Sequence, residues 1–288
     1  MNSAIVDLHV HSTESDGTFT PQELVAEARL NGLSAFALTD HDTCSGVEKA
    51  IPFAKKAGVE LIPGIELSTD YHGKEVHIVG LFIDTKNAQL LEKTSEYREC
   101  RIKRNALMVD ALQKEGFSIT MEELVRENKD CVITRANIAR FLYEHGQIKS
   151  IKEAFDRYIG DHCKCYVGRM MVASTDAVRL VKATGGIAVL AHPLLYGLSG
   201  TNLQKMIVEL KMAGLDGLEA IYSTYSTADE MQMKYLAEKN HLLISGGSDF
   251  HGTNKPEIAL GKGRGHLCVP YSVLENMKNK LLNRGKIV

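Results

Sequence analysis

The chain has 288 residues, of which 44% are hydrophobic and 24% are charged, and its formal net charge is -2. These values are typical of a globular protein, and the near-neutral charge argues against nonspecific binding of long duplex nucleic acid. The segment MNSAIVDLHV lacks the regions of a signal peptide, and no apolar run is long enough to span a membrane. The six cysteines are scattered along the chain, which favours reduced thiols in the cytoplasm.

The first 86 residues alternate between strand and helix patterns. The run SAIVDLHV predicts a strand, and Thr20 and Pro21 predict the N-cap and first position of a helix that stops at Gly32. LSAFALTD predicts a second strand, which precedes a helix ending at Gly58 with Pro52 in its interior. Two further strands, VELIPGIELS and EVHIVGLFI, complete a βαβαββ pattern. This pattern is typical of a mostly parallel sheet with helices outside it.

The second part of the chain begins with helical patterns alone, from about residue 87 to residue 158. Strands then return as IAVLAH, LDGLEAIYS and HLLISGGSD, each preceded by a helix, and YSVLENMKNKLLNRG predicts a final helix. About seven strands alternate with helices, which favours an α/β fold of the incomplete (β/α) barrel type over a Rossmann sheet. We therefore expect a barrel domain of residues 1–86 and 168–288, interrupted by an all-helical insertion of residues 87–167.

Imidazole and carboxylate side chains recur at the ends of the predicted strands or close to them. The set is His9, His11, Asp16, His41, Glu66, His77, His192, Asp249 and His251. In such a barrel the C-terminal ends of the strands meet on one face, which carries the active site. Each histidine alone is more often a structural residue, but the joint pattern favours metal ligands. Imidazole and carboxylate bind Zn, Mn and Fe, and nine of them suit the two or three clustered ions that hydrolyse phosphate esters.

A second metal hypothesis concerns the segment DHCKC, which contains His162, Cys163 and Cys165. These residue types bind zinc in structural sites. No second pair of cysteine or histidine residues follows at zinc-finger spacing, so the sequence favours ordinary reduced thiols over a zinc site here.

The ordered motifs DLHVHSTESDG, ALTDHD, GIELS, EVHIVG, AHP and GSDFH resemble those of the PHP (polymerase and histidinol phosphatase) family. The likeness covers nearly the whole chain and is closest to stand-alone metal-dependent phosphoesterases with a helical insertion. It implies a distorted seven-stranded (β/α) barrel and a site for two to three divalent ions, with manganese first and iron, zinc or magnesium as alternatives. It also implies a small phosphorylated substrate: adenosine 3′,5′-bisphosphate, which loses its 3′-phosphate, or short RNA trimmed from its 5′ end.

The resemblance also implies a role for each ligand residue. His9 and His11 would hold one ion with Glu66 and Asp249, Glu66 would bridge to a second ion held by His77 and His192, and Asp16, His41 and His251 would hold the third. An activated water would attack phosphorus in line with the leaving oxygen. His41 and His251 are the candidate side chains for protonating that oxygen.

Arginines of the insertion are the candidates for substrate binding. The resemblance implies that Arg101, Arg104 and Arg135 contact the other phosphate of the nucleotide, whereas a solvated helix face is the alternative and is preferred for Arg98. Many relatives have an arginine where this chain has Leu195, and DHCKC also departs from their pattern, so the preference for a bisphosphonucleotide is open. Histidinol-phosphate phosphatase is the alternative enzyme, and a nucleotide- or metal-binding sensor is the alternative without catalysis.

Overall fold

The computed structural model describes residues 4–129, 131–161, 163–168 and 172–286. In this part of the chain, strands and helices alternate as the sequence predicts. The strands are β1 (Ile5–Val10), β2 (Ala35–Leu38), β3 (Glu60–Tyr71), β4 (Lys74–Leu81), β5 (Val172–Ala173), β6 (Ile187–Leu190), β7 (Gly217–Tyr222), β8 (Leu243–Gly247) and β9 (Val269–Pro270). The helices are α1 (Pro21–Leu30), α2 (Ser45–Ala57), α3 (Ala88–Lys114), α4 (Met121–Glu127), α5 (Arg135–Glu144), α6 (Ile151–Ala154), α7 (Ser174–Ala183), α8 (Gly200–Ala213), α9 (Thr227–Lys239) and α10 (Tyr271–Leu282).

One sheet curves into a nearly closed barrel with the strand order β8-β7-β6-β4-β3-β2-β1-β9. Most neighbours are parallel, but β4 runs antiparallel to both β3 and β6. The barrel closes between β1 and the loop after β8, where the backbone N–H of Asp249 donates to the carbonyl of His9 at 2.8 Å. β1, β2, β3, β4, β6, β7 and β8 are the longer strands, so the predicted distorted seven-stranded barrel is confirmed, with β5 and β9 as two-residue additions.

Local sequence signals set the helix ends in the first half of the barrel. Thr20 caps α1 through a reciprocal pair of hydrogen bonds with Glu23, and Pro21 occupies the first helical position. α2 ends at Gly58, whose φ of 69° is the left-handed conformation that glycine adopts without a steric penalty. Pro52 lies inside α2 without ending it.

The core of the barrel lies between the sheet and its outer helices. Ile65, Leu67 and Ile78 are fully buried in a cluster that includes side chains of α7, α8 and α9. On the opposite face of the same strands, side chains such as Val79 and Leu81 pack with α10. Alternate residues of a strand face opposite sides, and here both sets are apolar. This is expected for a largely parallel barrel that is packed on both faces of its sheet.

The described part of the insertion, from α3 to the single π-helical turn after α6, contains helices and connecting loops. Its buried side chains, including Met108, Leu112, Ile138 and Leu142, form a hydrophobic cluster separate from the barrel core. Asn87 caps α3, and its side chain accepts a hydrogen bond from the backbone N–H of Leu90. The all-helical nature predicted for this region agrees with these elements, and the boundaries of the two domains stay a prediction.

None of the described helices is both long and apolar enough to cross a membrane. All six cysteines are free thiols, and Cys165 is buried in the hydrophobic cluster of the insertion.

Candidate metal centre

The nine predicted ligand residues reach the centre from six strands or from the loops that follow them. His9 lies on β1, with His11 directly after it, and Asp16 lies on the next loop. His41 follows β2, His192 follows β6, and Asp249 and His251 follow β8. Glu66 and His77, in contrast, lie inside β3 and β4 rather than at strand ends. Because β4 is antiparallel to its neighbours, its first half, not its C-terminal end, reaches the centre.

The Glu66 carboxylate lies at the middle of this cluster and is 1% exposed. Five imidazoles each place a ring nitrogen 3.0–3.3 Å from one of its oxygens: those of His9, His11, His41, His77 and His192. One carboxylate between several imidazoles from different strands is the arrangement expected of a bridging metal ligand.

Four overlapping groups of donor atoms lie close enough to share an ion. Within each group the ligand atoms lie within 4.8 Å of one another. The groups are His11, Asp16, His41 and His251; His9, Glu66 and His192; His9, His11 and Asp249; and His41, Glu66 and His77. Together they contain every residue of the predicted ligand set. The described residues form no such group that includes Cys163 or Cys165, and His162 of the zinc alternative lies outside the described residues.

Asp16 connects this centre to the helical insertion. Its Oδ1 lies 3.2 Å from His251 Nε2, and its Oδ2 accepts a hydrogen bond of 2.9 Å from the hydroxyl of Thr134, the N-cap of α5. The position of this carboxylate therefore depends on the insertion as well as on the barrel.

Several imidazole nitrogens at the centre are buried without a hydrogen-bond partner among the described residues. They are Nε2 of His9, both ring nitrogens of His11, Nδ1 of His41 and Nδ1 of His192. A buried polar atom left unpaired costs free energy, so such atoms are rare in folded proteins unless something else binds them. Imidazole lone pairs facing carboxylates are the donors that divalent transition metals select, so these residues fit metal ions.

The electrostatics of the cluster keep its carboxylates ionised. Burial alone would raise the pKa of Glu66, but the neighbouring imidazoles of His9 and His77 hold it well below its usual value. Burial opposes protonation of His11, yet Asp249 and Glu66 raise its pKa to about 9. In His41 burial dominates and lowers the pKa to about 3, which leaves this imidazole neutral. In the metal-free protein, protonated histidines would compensate the negative charge of these carboxylates. Bound metal ions would take over that role and displace the protons.

Two of the ligand residues have strained backbone conformations. His192 has φ 26° and Asp249 has φ 54°, which are rare values for residues other than glycine. Residues held in such conformations require surrounding contacts to stabilise them and cluster at functional sites.

The sequence analysis missed a layer of polar residues behind the ligands. Glu219 on β7 is buried, and its Oε1 lies 3.0 Å from His9 Nδ1. The hydroxyl of Tyr222 and the ammonium of Lys255 both donate to Asp249 Oδ2, at 2.7 and 2.6 Å. An isolated glutamate inside the apolar run LDGLEAIYS is the signal that could have indicated Glu219.

A comparison with models of protein families classifies the chain that carries this centre. The model of the PHP domain matches residues 7–170, which is more than half of the chain. The chain belongs to the PHP family. The resemblance inferred from the motifs is therefore confirmed.

Two curated relatives of this PHP protein are similar over most of their length. A 5′-3′ exoribonuclease of Haemophilus influenzae is 38% identical over 85% of this chain and 89% of its own. A 3′,5′-nucleoside bisphosphate phosphatase of Chromobacterium violaceum is 33% identical over 86% of this chain and 87% of its own. Both relatives hydrolyse phosphoester bonds, and at this similarity the present chain is a phosphoester hydrolase as well.

A crystal structure of a Bifidobacterium adolescentis protein assigned as a metal-dependent phosphoesterase has the same fold. It superposes with a TM-score of 0.86 and 28% identity, covering 96% of each chain. The metal dependence of that assignment agrees with the imidazole and carboxylate groups described above.

The arginines predicted to bind substrate form ion pairs or hydrogen bonds with other side chains of the protein. Arg101 is buried and forms an ion pair with Asp42, the residue directly after His41. Asp42 Oδ1 also accepts from the backbone N–H of Ser68 at 3.1 Å. The N-cap of α2 is Cys44 rather than Asp42.

The other predicted arginines of this PHP protein differ in their links to the centre. Arg135 lies 3.0 Å from Glu75 Oε2, and Glu75 Oε1 lies 3.4 Å from Nε2 of His77. Arg104 is buried, and its Nε donates to Asn105. Arg98 reaches the backbone carbonyl of Asp42 at 3.4 Å.

Leu195 is 55% exposed on the 3₁₀ turn after His192. An apolar side chain there offers no hydrogen bond or charge to a phosphate.

Proposed function

We propose that this protein is a metal-dependent phosphoesterase of small nucleotides, which removes the 3′-phosphate of adenosine 3′,5′-bisphosphate or trims short RNA from its 5′ end. The observation that supports this most is the Glu66 carboxylate, surrounded by imidazoles of which several have buried nitrogens without a hydrogen-bond partner. Relatives with each of the two activities support the substrate class.

In this proposal the nine residues bind two to three divalent ions, with manganese first and iron, zinc or magnesium as alternatives. His9, His11, Glu66 and Asp249 hold one ion, and Glu66, His77 and His192 hold the second. Asp16, His41 and His251 hold the third. His11 also lies in a donor group with Asp16, His41 and His251, so it could contribute a ligand atom to the third ion as well.

The bound ions supply an activated water and neutralise charge on the phosphoryl oxygens. The protein contributes a fixed, buried donor set, so little rearrangement accompanies binding of the substrate phosphate. His41 and His251 are the side chains proposed to protonate the leaving oxygen. Burial lowers the pKa of both imidazoles, which favours their role as neutral ligands over their role as acids.

Arg101, Arg104 and Arg135 are proposed to bind the phosphate or ribose side of the substrate. A guanidinium binds phosphate oxygens in pairs, and Arg101 and Arg135 each connect to a neighbour of a ligand residue, Asp42 and Glu75 respectively. Residues 87–167 would then act as a cap domain that supplies these arginines. The Thr134–Asp16 hydrogen bond supports such coupling between the cap and the centre.

The proposal is tested with purified protein loaded with Mn²⁺ and offered three substrates: adenosine 3′,5′-bisphosphate, a 5′-phosphorylated oligoribonucleotide and histidinol phosphate. We expect release of phosphate or mononucleotide from at least one of the first two and little from the third. His9→Ala should abolish turnover, whereas His145→Ala, on the surface of the insertion, should not. If the metal-loaded protein releases nothing from the two nucleotide substrates, the proposed function is wrong.

A further inference from the structure

Strand β7 differs from the other longer strands of the barrel. Each of the other six carries a candidate metal ligand or ends within three residues of one, whereas the described residues of β7 contain none. β7 nevertheless contributes two buried polar side chains, Glu219 and Tyr222, at the level of the centre. A strand that places polar groups there without providing a ligand requires another explanation.

Glu219 contacts two ligand residues at the same time. Its Oε1 lies 3.0 Å from Nδ1 of His9, and its Oε2 accepts a hydrogen bond of 2.7 Å from the backbone N–H of His192. A carboxylate at Nδ1 favours the proton on that nitrogen and directs the Nε2 lone pair of His9 towards Glu66, 3.3 Å away. The bond to His192 restrains a backbone with φ 26°. His9 and His192 share a donor group with Glu66, so one carboxylate contacts the imidazole of one ligand residue and the backbone of another.

Tyr222 acts in the same manner on a third ligand. Its hydroxyl donates to Asp249 Oδ2 at 2.7 Å, while Asp249 Oδ1 lies 3.3 Å from His11 Nε2. One oxygen of Asp249 is thus fixed from behind, and the other faces the ligand cluster.

The pairing of β7 with β8 is irregular between Glu219 and Tyr222. Residues three apart on a regular strand point to opposite faces. Glu219 pairs with Ser245 and Ile221 pairs with Gly246, so β7 contains one extra residue relative to β8 at this point. Such a bulge shifts the alternation by one position, and bulges are common next to active sites, where they redirect a side chain.

We propose that β7 is the positioning strand of the metal centre: Glu219 and Tyr222 orient His9, His192 and Asp249 and thereby set the affinity for the ions. This inference rests on the proposed function, because it concerns the same centre. It predicts an effect on metal binding that can be measured without substrate.

The test compares Glu219→Gln and Tyr222→Phe with the wild-type chain. Both substitutions preserve side-chain size, and metal-free protein is titrated with Mn²⁺ by calorimetry and with Co²⁺ by visible absorption. We expect Glu219→Gln to bind Mn²⁺ about 10- to 100-fold more weakly, Tyr222→Phe to bind it about 3- to 10-fold more weakly, and the Co²⁺ spectrum of each to change.

Asp216→Asn is the matched control. Asp216 is also buried and directly precedes β7, but it pairs with Lys182 and Arg284 rather than with ligand residues. We expect this variant to lose thermal stability while it keeps the wild-type Mn²⁺ affinity and Co²⁺ spectrum.

The possible outcomes separate the two proposals. If Glu219→Gln and Tyr222→Phe keep wild-type Mn²⁺ affinity and Co²⁺ spectrum and lose only stability, β7 is structural and the inference is wrong, while the proposed function stands. If the wild-type chain itself binds neither ion, the proposed function fails, and the inference fails with it.

Discussion

Replacement of Arg101 by methionine should destabilise the protein strongly. The Arg101 and Asp42 side chains are 5% and 0% exposed, so the substitution removes one side of an ion pair that lies wholly inside the protein. Breaking one side of a buried ion pair costs about 3–5 kcal/mol. For 288 residues, an unfolding entropy of about 0.6 kcal/mol per kelvin converts this loss into a decrease in Tm of about 5–8 °C.

Urea denaturation of Arg101→Met, Asp42→Asn and the double variant provides the assay. The double variant loses both members of this ion pair at once, so its loss of stability should be about 2 kcal/mol smaller than the sum of the two single losses. Arg179→Met is the control, because Arg179 pairs with Asp176 on the surface and its loss should change stability by less than about 0.5 kcal/mol. A loss below about 1 kcal/mol for Arg101→Met, or additive losses in the double variant, would refute this reasoning.

Three further predictions concern charge at the centre and at the base of the barrel. Glu66→Gln should lower the metal content per chain, measured by elemental analysis, and reduce phosphoester hydrolysis about a thousandfold; wild-type values would contradict the bridging role. Despite burial, carboxylates raise the pKa of His9 well above its usual value and those of His11 and His77 to about 9, so Mn²⁺ uptake at pH 7 should release about three protons, and fewer at higher pH. The number of released protons is measured by calorimetry in buffers of different ionisation enthalpy. A binding heat that does not depend on the buffer would contradict proton release. Although burial opposes it, Arg284 and Lys182 lower the pKa of Asp216, so its contribution to stability is present above pH 3.8 and is lost as the pH falls further. Asp216→Asn should therefore be less stable than wild type at pH 7 in urea melts and approach it in acid; an equal difference at both pH values would contradict the linkage.

The same linkage gives a stability profile for the metal-free protein. Protonated His11 and His77 stabilise the fold fully below their unfolded pKa of about 6.5, and this contribution is lost as the pH rises through 9. Urea denaturation of protein freed of metal with a chelator should thus show that stability decreases as the pH rises from about 6.5 to about 9.

The sequence by itself determined the architecture and the composition of the candidate site. Alternating strand and helix patterns predict the barrel because the periodicity of apolar residues is a local property. The caps at Thr20 and Gly58 could be predicted for the same reason. The ligand set could be proposed because the C-terminal ends of parallel strands converge, so polar residues distant along the chain meet in space.

Only the tertiary structure decided which groups contact one another. His77 reaches Glu66 because β4 inserts antiparallel between β3 and β6, and no local pattern specifies that pairing. The partner of Arg101 depends on where α3 packs against the loop after β2, which periodicity does not encode. Glu219 and Tyr222 contact ligand residues from a strand whose register with β8 shifts by one residue between them, which no local pattern encodes. Strand pairing, helix docking and register are set by the free energy of packing the whole chain, so residues that act through such contacts could not be identified from the sequence.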